Sequence, residues 1–348
     1  MISGWSEADA CLDPEPERYS QPYLSNSTEA IRGFRDLGAL WERLGMQSGN
    51  AELTAWGKHL MDEAVRFDKD LQKSISRLIL RDASPSFLPA IAGVRQPFHI
   101  AVQQDHLDAQ FRSYRSFMEM LFSGNLTRDE VEMIVKYRSA RRDIILGVPV
   151  AYGYNTHELA GFLTYGHGYG LLQHDFVREF LLTLYGTMAH QYTRGTWTAP
   201  ETRNLDVDQT RGAAPYCTPA QMVVPLFARW MLVFEDPQKP LVWLAKGAPR
   251  DWMEDGKRIH VSGAPTAFGR VGYTVESHLA SGQIKAEIQL PATPFGASVK
   301  LRLRAPEGSR MKSLQVNGKP SSAFDATDET ITLPSGAAGK VTILANYN

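Results

Sequence analysis

The feature that most constrains this chain is a change of hydrophobic period around Asp236-Pro237-Gln238-Lys239-Pro240. Before that turn-rich seam, apolar residues recur at steps of three and four. Leu53, Trp56, Leu60, Ala64, Phe67, Leu71, Ile75 and Leu78 form one stripe, the spacing that lets one face of a long helix be buried. Leu107, Phe111, Tyr114, Met118 and Leu121 repeat the spacing. Thr127-Arg128-Asp129-Glu130 reads as a capping box, with Leu126 and Val131 placed for the hydrophobic staple. Thr218-Pro219-Ala220-Gln221 reads as a second box, with proline where its missing N–H is harmless. About seven helices fit between residues 27 and 235, arranged as α-hairpins. After the seam the period becomes two. Val271, Tyr273 and Val275 alternate with small or polar residues, Ser281-Gly282 turns the chain, and Ile284, Ala286, Ile288 and Leu290 alternate on the return. Val299 to Arg304 alternates apolar with basic residues, as a strand with one wet face does. Asn317-Gly318 marks a type I′ hairpin. The reading is therefore mainly α plus a separate all-β domain: a helical domain over 1–239 and an antiparallel β-sandwich over 240–348.

Composition removes whole classes of function. Of 348 residues, 43% are hydrophobic and 22% charged, which excludes wholesale disorder and coiled-coil rods. With 37 basic and 38 acidic residues there is no cationic surplus to displace the counterions of a nucleic acid, so no nucleic-acid partner is expected. The charge divides as +4 from residue 240 onward and −5 before it. The longest apolar stretch, Met222–Phe234, is broken by Pro225 and Arg229 and is too short to span a bilayer, so no membrane partner is expected. The first seven residues hold neither a basic start nor an apolar core, so a secretory leader is not read there. Cys11 and Cys217 stand 206 positions apart, which fits free thiols in a reducing, cytoplasmic setting.

The order of α-hairpins followed by an antiparallel β-domain resembles the six-hairpin (α/α) toroid enzymes that act on carbohydrates, among them many glycoside hydrolases and some polysaccharide lyases. Three phrases carry the resemblance: Leu241-Val-Trp-Leu-Ala-Lys-Gly-Ala-Pro-Arg-Asp-Trp-Met-Glu-Asp-Gly256 after the helices, then Ala264-Pro-Thr-Ala-Phe-Gly269 and Leu314-Gln-Val-Asn-Gly-Lys319. A complete toroid has twelve helices, so about seven make this chain similar to the C-terminal half of such an enzyme. A half-ring leaves large apolar helix faces open, and a homo-oligomer that completes or covers it is the expected consequence.

Residues 152–216 hold 11 of the 35 aromatic residues and four of the nine histidines. Sugars need aromatic faces for their CH surfaces and polar groups for their hydroxyls, so this mixture suits a carbohydrate cleft; an aromatic core with hydrogen-bonded histidines has the same composition. Thr193-Arg194-Gly195-Thr196-Trp197 through Glu201 to Asp206 is the richest stretch. Glycosidases need a protonated carboxylic acid beside the leaving oxygen and a second carboxylate across the ring. Glu201 is the candidate acid, with Trp197 near enough in sequence to desolvate it, and Asp206 is the candidate second carboxylate. Glu158 competes for either role, or simply opens a helix as a first-turn acid. Tyr154, His157, His167, His190, Arg194 and Trp197 are the candidate sugar-binding residues. The glycine-rich Tyr165–Gly170 lacks the phosphate-loop pattern and is expected to lead the backbone into a helix over 171–192. His167, His174 and Asp175 lack the spacing of a zinc site, so neither metal nor cofactor is expected. No nucleophile elbow occurs. In the β-domain, Trp243 is expected to anchor the sheet against the helices.

The leading expectation is a glycoside hydrolase using carboxylate acid/base catalysis. A polysaccharide lyase is the enzymatic alternative, with Tyr192 or Tyr154 and His190 as base and acid and Arg194 or Arg203 on a uronate; the −5 helical part opposes a polyanionic substrate. The third reading is a non-catalytic sugar-binding half-toroid.

Overall fold

The computed structural model describes residues 20–104, 110, 114–150, 157–205 and 216–348. The chain divides into two compact units, residues 1–225 and 226–348. Eight α-helices occur among the described residues. None is long and apolar enough to cross a membrane.

The first unit opens with a hairpin of two long helices, α1 (Leu24–Ser48) and α2 (Ala51–Leu78). Gly49 ends α1 in the left-handed conformation at φ 69°, its N–H bonded to the Gly45 carbonyl. Asn50 caps α2 by accepting the Leu53 N–H at 3.0 Å. The two helices approach closely because glycines line their seam. A Cβ at Gly38 would stand 2.8 Å from the Gly57 carbonyl oxygen, and one at Gly57 would stand 2.4 Å from the Glu42 nitrogen. Those contacts are open only to a residue without a side chain.

Two shorter helices follow, α3 (Phe98–Gln104) and α4 (Tyr114–Ser123). The expected stripe through Leu107 and Phe111 lies outside the described residues. Helix α5 (Arg128–Ala140) begins with the expected capping box, Glu130 accepting from the Thr127 N–H and Thr127 from the Glu130 N–H. Leu126 and Val131 are both buried beside it.

The glycine-rich segment departs from expectation. Instead of leading into one helix over 171–192, it is itself a helix, α6 (Thr164–Gln173), and α7 (Val177–His190) follows after a break. The reason is close packing on α4. A Cβ at Gly166 would fall 2.0 Å from the Met118 carbonyl oxygen, and one at Gly170 would fall 3.0–3.2 Å from Leu121. Glycine here serves helix-to-helix contact, which outweighs its poor helix propensity of about 1 kcal/mol. Helix α8 (Thr218–Leu232) follows.

Short strands also interrupt the helical unit, where none was expected. β1 (Ile144–Ile145) pairs with β2 (Val148–Pro149), and β3 (Glu158–Ala160) pairs with β4 (Thr202–Asn204), both antiparallel. Val150 bridges to Leu159, linking the two ladders.

The second unit is a pair of sheets sharing one core. Five strands, β5 (Val233–Glu235), β6 (Leu241–Leu244), β10 (Ser298–Arg302), β13 (Phe324–Asp325) and β14 (Thr330–Thr332), form one sheet in the order β13-β14-β10-β6-β5. The other contains β7 (Arg258–Thr266), β8 (Gly269–His278), β9 (Gln283–Gln289), β11 (Met311–Val316), β12 (Lys319–Ser321) and β15 (Lys340–Tyr347), in the order β12-β11-β15-β9-β8-β7. Val242, Leu244 and Leu301 of the first sheet pack with Tyr273, Ile288 and Ile343 of the second. The seam at 236–240 is thus the turn between β5 and β6.

Three expectations for this unit need comment. The β8–β9 hairpin turns at Gly282 (φ 70°), and Asn317 and Gly318 both carry the positive φ of a type I′ turn between β11 and β12, as read from sequence. The sandwich is not wholly antiparallel: β10 runs parallel to β6, because the chain crosses through the other sheet before returning. The basic face of Val299–Arg304 is not wet. Arg302 and Arg304 are buried; Arg304 donates to the Ala248 carbonyl at 3.0 Å, and Lys300 and Arg302 lie 5.0 and 5.5 Å from the Trp243 ring centre. Carbonyls and an aromatic face replace water around those cations.

Glycine's structural role gives a paired prediction. Gly166→Ala should lower unfolding free energy by about 2 kcal/mol or more despite alanine's better propensity, because the new methyl meets a backbone carbonyl. Gly33→Ala in α1, where nothing lies within 4 Å, should be neutral or stabilising by about 0.5–1 kcal/mol in urea titration.

Candidate functional site

The two-stranded ladder of β3 and β4 organises the candidate residues. Leu159 pairs with Arg203 and Ala160 with Thr202, and the ladder is extended at both ends: Gly161 donates to the Glu201 carbonyl and Leu205 to the His157 carbonyl, each at 3.0 Å. Residues more than 40 positions apart therefore become neighbours. The same geometry separates the two acids. Glu158, Ala160, Thr202 and Asn204 share one face by strand alternation, whereas Glu201 belongs to the other parity. Glu158 opens a strand and not a helix, and its Oε1 accepts from the Thr202 hydroxyl. Asp206 and Tyr154 lie outside the described residues.

The loop between α7 and β4 is tied to itself. Thr193 donates its N–H to the Thr198 carbonyl at 2.8 Å, and Trp197 donates to the Thr193 carbonyl at 3.0 Å. The Thr193 hydroxyl lies 2.6 Å from both the Thr196 and Thr198 hydroxyls and accepts the Thr198 N–H at 3.1 Å. This closed turn holds Trp197 at φ 54°, a left-handed conformation unfavourable by about 1–2 kcal/mol for a bulky residue. Its indole is 58% exposed, with the Tyr192 ring tilted at 6.2 Å. Arg194 and His190 are also exposed, and Glu201 is half-exposed at the far end of the loop.

Tyr192 itself is committed. Its hydroxyl points at the Gln221 and Ala220 carbonyls, 2.7 and 3.0 Å away, at the start of α8. Burial raises its pKa, opposite to what a proton-abstracting tyrosine needs.

His157 lies at the other end of the ladder with φ 54°. It borders a shallow depression of about 430 Å³ with Arg142, Ile144, Ile145 and Leu205. His167 is elsewhere: it sits on α6 inside the protein. Burial and the nearby Arg138 guanidinium push its pKa down to about 3, so it is a neutral imidazole whose Nδ1 has no hydrogen-bond partner among the described residues. Arg138 and Asp143 are buried with it. Desolvation pushes Asp143 up to about 6 against the pull of Arg138. Arg138 also lies 5.3 Å from the Phe117 ring centre. Gln191, buried at the end of α7, is another polar group without a partner among the described residues.

Sequence reasoning missed Arg138, Asp143 and Gln191. Arg138 had a signal, because it continues the stripe of Val131 and Ile134 and so places a charge in an apolar register. Among the described residues no group of three His, Cys, Asp or Glu side chains is arranged to hold a metal ion.

Comparison with known proteins adds little to these residues. No sequence-family description matches the chain, and no curated protein matches it in sequence. Among solved structures it is similar to one titled "Glycoside hydrolase", at 12% identity and TM-score 0.40, covering 85% of this chain and 56% of that one. It is also similar to a β-arabinofuranosidase of glycoside hydrolase family 127, at 12% identity and TM-score 0.33, covering 69% and 42%. The chain thus spans about half the length of the structures it matches.

Asp143 and His167, both buried, titrate in opposite senses. Asp143, raised in the folded state, takes up a proton on folding, so its contribution to stability grows as pH falls from about 6 toward 4. His167, lowered in the folded state, contributes stability that is present above about 6.5 and is lost as pH falls toward 3. Each slope is about 1.4 kcal/mol per pH unit, so they offset between pH 6 and 4. Asp143→Asn should steepen the acid loss of stability in that window, and His167→Gln should flatten or reverse it. Thermal melts at half-unit pH steps check both.

Proposed function

We propose that this protein binds a neutral saccharide on the loop bearing Trp197 and hydrolyses its glycosidic bond, with Glu201 as the general acid. One observation carries the reading: Trp197, a large aromatic held outward on an unfavourable backbone by three threonine hydroxyls, four residues before a half-exposed carboxyl group. A hydrophobic ring kept in water against both steric and solvation preference is a ready face for the CH surface of a pyranose or furanose. Arg194 and His190, exposed on the same segment, supply donors for ring hydroxyls.

In the proposed reaction the Glu201 carboxyl gives its proton to the glycosidic oxygen as the bond from that oxygen to the anomeric carbon breaks. A water adds to the anomeric carbon, and a second carboxylate accepts the water's proton. Asp206 is our assignment for that second group. Glu158 is less suited, because its carboxylate holds the Thr202 hydroxyl. The same reading takes the helical unit to be part of an (α/α) toroid and the second unit to be its accompanying β-domain.

A second reading, saccharide binding without turnover, is favoured by a specific point: the β3–β4 ladder sets the carboxylates of Glu158 and Glu201 on opposite parities and so does not supply a catalytic pair. The form of the lyase alternative that uses Tyr192 is disfavoured by the commitment of that hydroxyl to α8.

A panel of aryl glycosides, with calorimetry on the matching free sugars, separates these readings. The hydrolase assignment expects Glu201→Gln to lose on the order of 10²-fold or more in kcat on the best aryl glycoside while retaining binding. Full activity in that variant would overturn Glu201 as the acid. Trp197→Ala should weaken saccharide binding by roughly tenfold, about 1.4 kcal/mol. Binding without turnover of any glycoside would move the conclusion to the second reading.

A further inference from the structure

The first hairpin shows a stripe that its own fold does not bury. In α1, Phe34, Leu37, Trp41 and Leu44 follow steps of three and four, the seam spacing of a coiled coil. They lie to one side of Gly38 and Gly45, which face α2. The opposite side of α1 is already tied to the rest of the unit: Arg32 lies over the Phe122 ring at 4.2 Å, and Arg35 donates to Asn125 at 2.7 Å. In α2, Leu53, Trp56 and Leu60 keep the same spacing, and the stripe then enters the core at Ala64 and Phe67. Because the two helices are antiparallel and meet through Gly38, Gly45 and Gly57, helical geometry turns both stripes to the same face of the hairpin.

That face is open. Phe34, Leu37, Leu40 and Leu44 are 37–43% exposed and Trp56 is 51% exposed, while Trp41, Leu53 and Leu60 are half-buried between them. The period of α2 reads as one buried stripe, yet Trp56 stands in solvent beside His59, ring centres 5.6 Å apart. At full side-chain areas of ~150–250 Å², the open apolar surface is roughly 600 Å². A standard interface takes ~800 Å² from each partner, a little over half of it apolar. One hairpin face therefore supplies the apolar area that one side of a stable dimer needs. The rim carries both charge signs, including the Glu63–Arg66 pair, so it selects neither an acidic nor a basic partner.

We propose that this face binds a second copy of the chain, the α1–α2 hairpins of two protomers stacking about a two-fold axis into a four-helix layer. A two-fold operation lays each apolar seam on an identical seam of matching length, which satisfies the contact with one surface. The inference stands apart from the saccharide reading and survives its failure.

The test is light scattering of the purified full chain over about 1–100 μM. The expected result is twice the chain mass at the upper end. Leu37→Glu combined with Leu44→Glu should shift half-dissociation at least tenfold upward in concentration, with unchanged helical circular dichroism. Leu182→Glu, at an exposed site on α7, should leave the dimer intact. Hydroxyl-radical footprinting of the unmodified protein gives a second readout that no folding defect can confuse. Leu44 and Trp56 should become protected as concentration rises, and Leu182 should not. A monomer throughout the series, a dimer that persists in the double variant, or unchanged labelling of Leu44 and Trp56 would each overturn the proposal.

Discussion

Backbone-to-backbone contact between helices is the constraint on which the helical unit depends. Gly166 lets α6 rest on the Met118 carbonyl, and Gly38 and Gly57 let α1 and α2 meet without side chains between them. Dispersion energy falls steeply with distance, so helices that close gain contacts along their whole length. The arrangement also explains why so poor a helix former is concentrated in a helix. With α6 pressed onto α4, His167 is carried into the interior near Arg138, and its neutrality follows from that burial.

The β3–β4 ladder does the corresponding work for the loops. Its few hydrogen bonds join the segment after residue 157 to the segment before residue 205, and so bring the His157 and Glu201 ends of the candidate site onto one platform. Non-glycine residues at positive φ recur around it, at Arg142, Leu146, His157 and Trp197. Each such residue costs of order 1–3 kcal/mol, which the hydrogen bonds of the ladder and its flanking turns must offset. The same ladder limits the chemistry, since strand parity divides Glu158 from Glu201.

Much of the site was legible as composition but not as geometry. The crowding of aromatics and histidines between 152 and 216 marks the segment that holds the candidate residues, and Trp197 within it is exposed. The same histidines proved unlike one another: His190 is exposed, His157 edges a depression, and His167 is enclosed. Nothing local distinguishes them, because the difference lies in what the fold places around each. Arg138 and Asp143 were overlooked for a related reason, since a charge in an apolar register becomes visible only when its register is known to be buried.

Taken alone, the sequence determined the two kinds of secondary structure and their order along the chain. Hydrophobic periods of 3.6 and 2, the Thr127 capping box and the Asn317-Gly318 turn are local signals, set by sterics and hydrogen bonds within a few residues. Tertiary structure decided the rest. It turned the glycine-rich segment into a buried helix, made β10 run parallel to β6, and covered the basic face of β10 with carbonyls and the Trp243 ring. It also left the α1–α2 seam open that the sequence pattern marks for burial. These outcomes depend on what lies opposite each surface in space, and that partner is set by chain topology, which no short stretch of residues encodes.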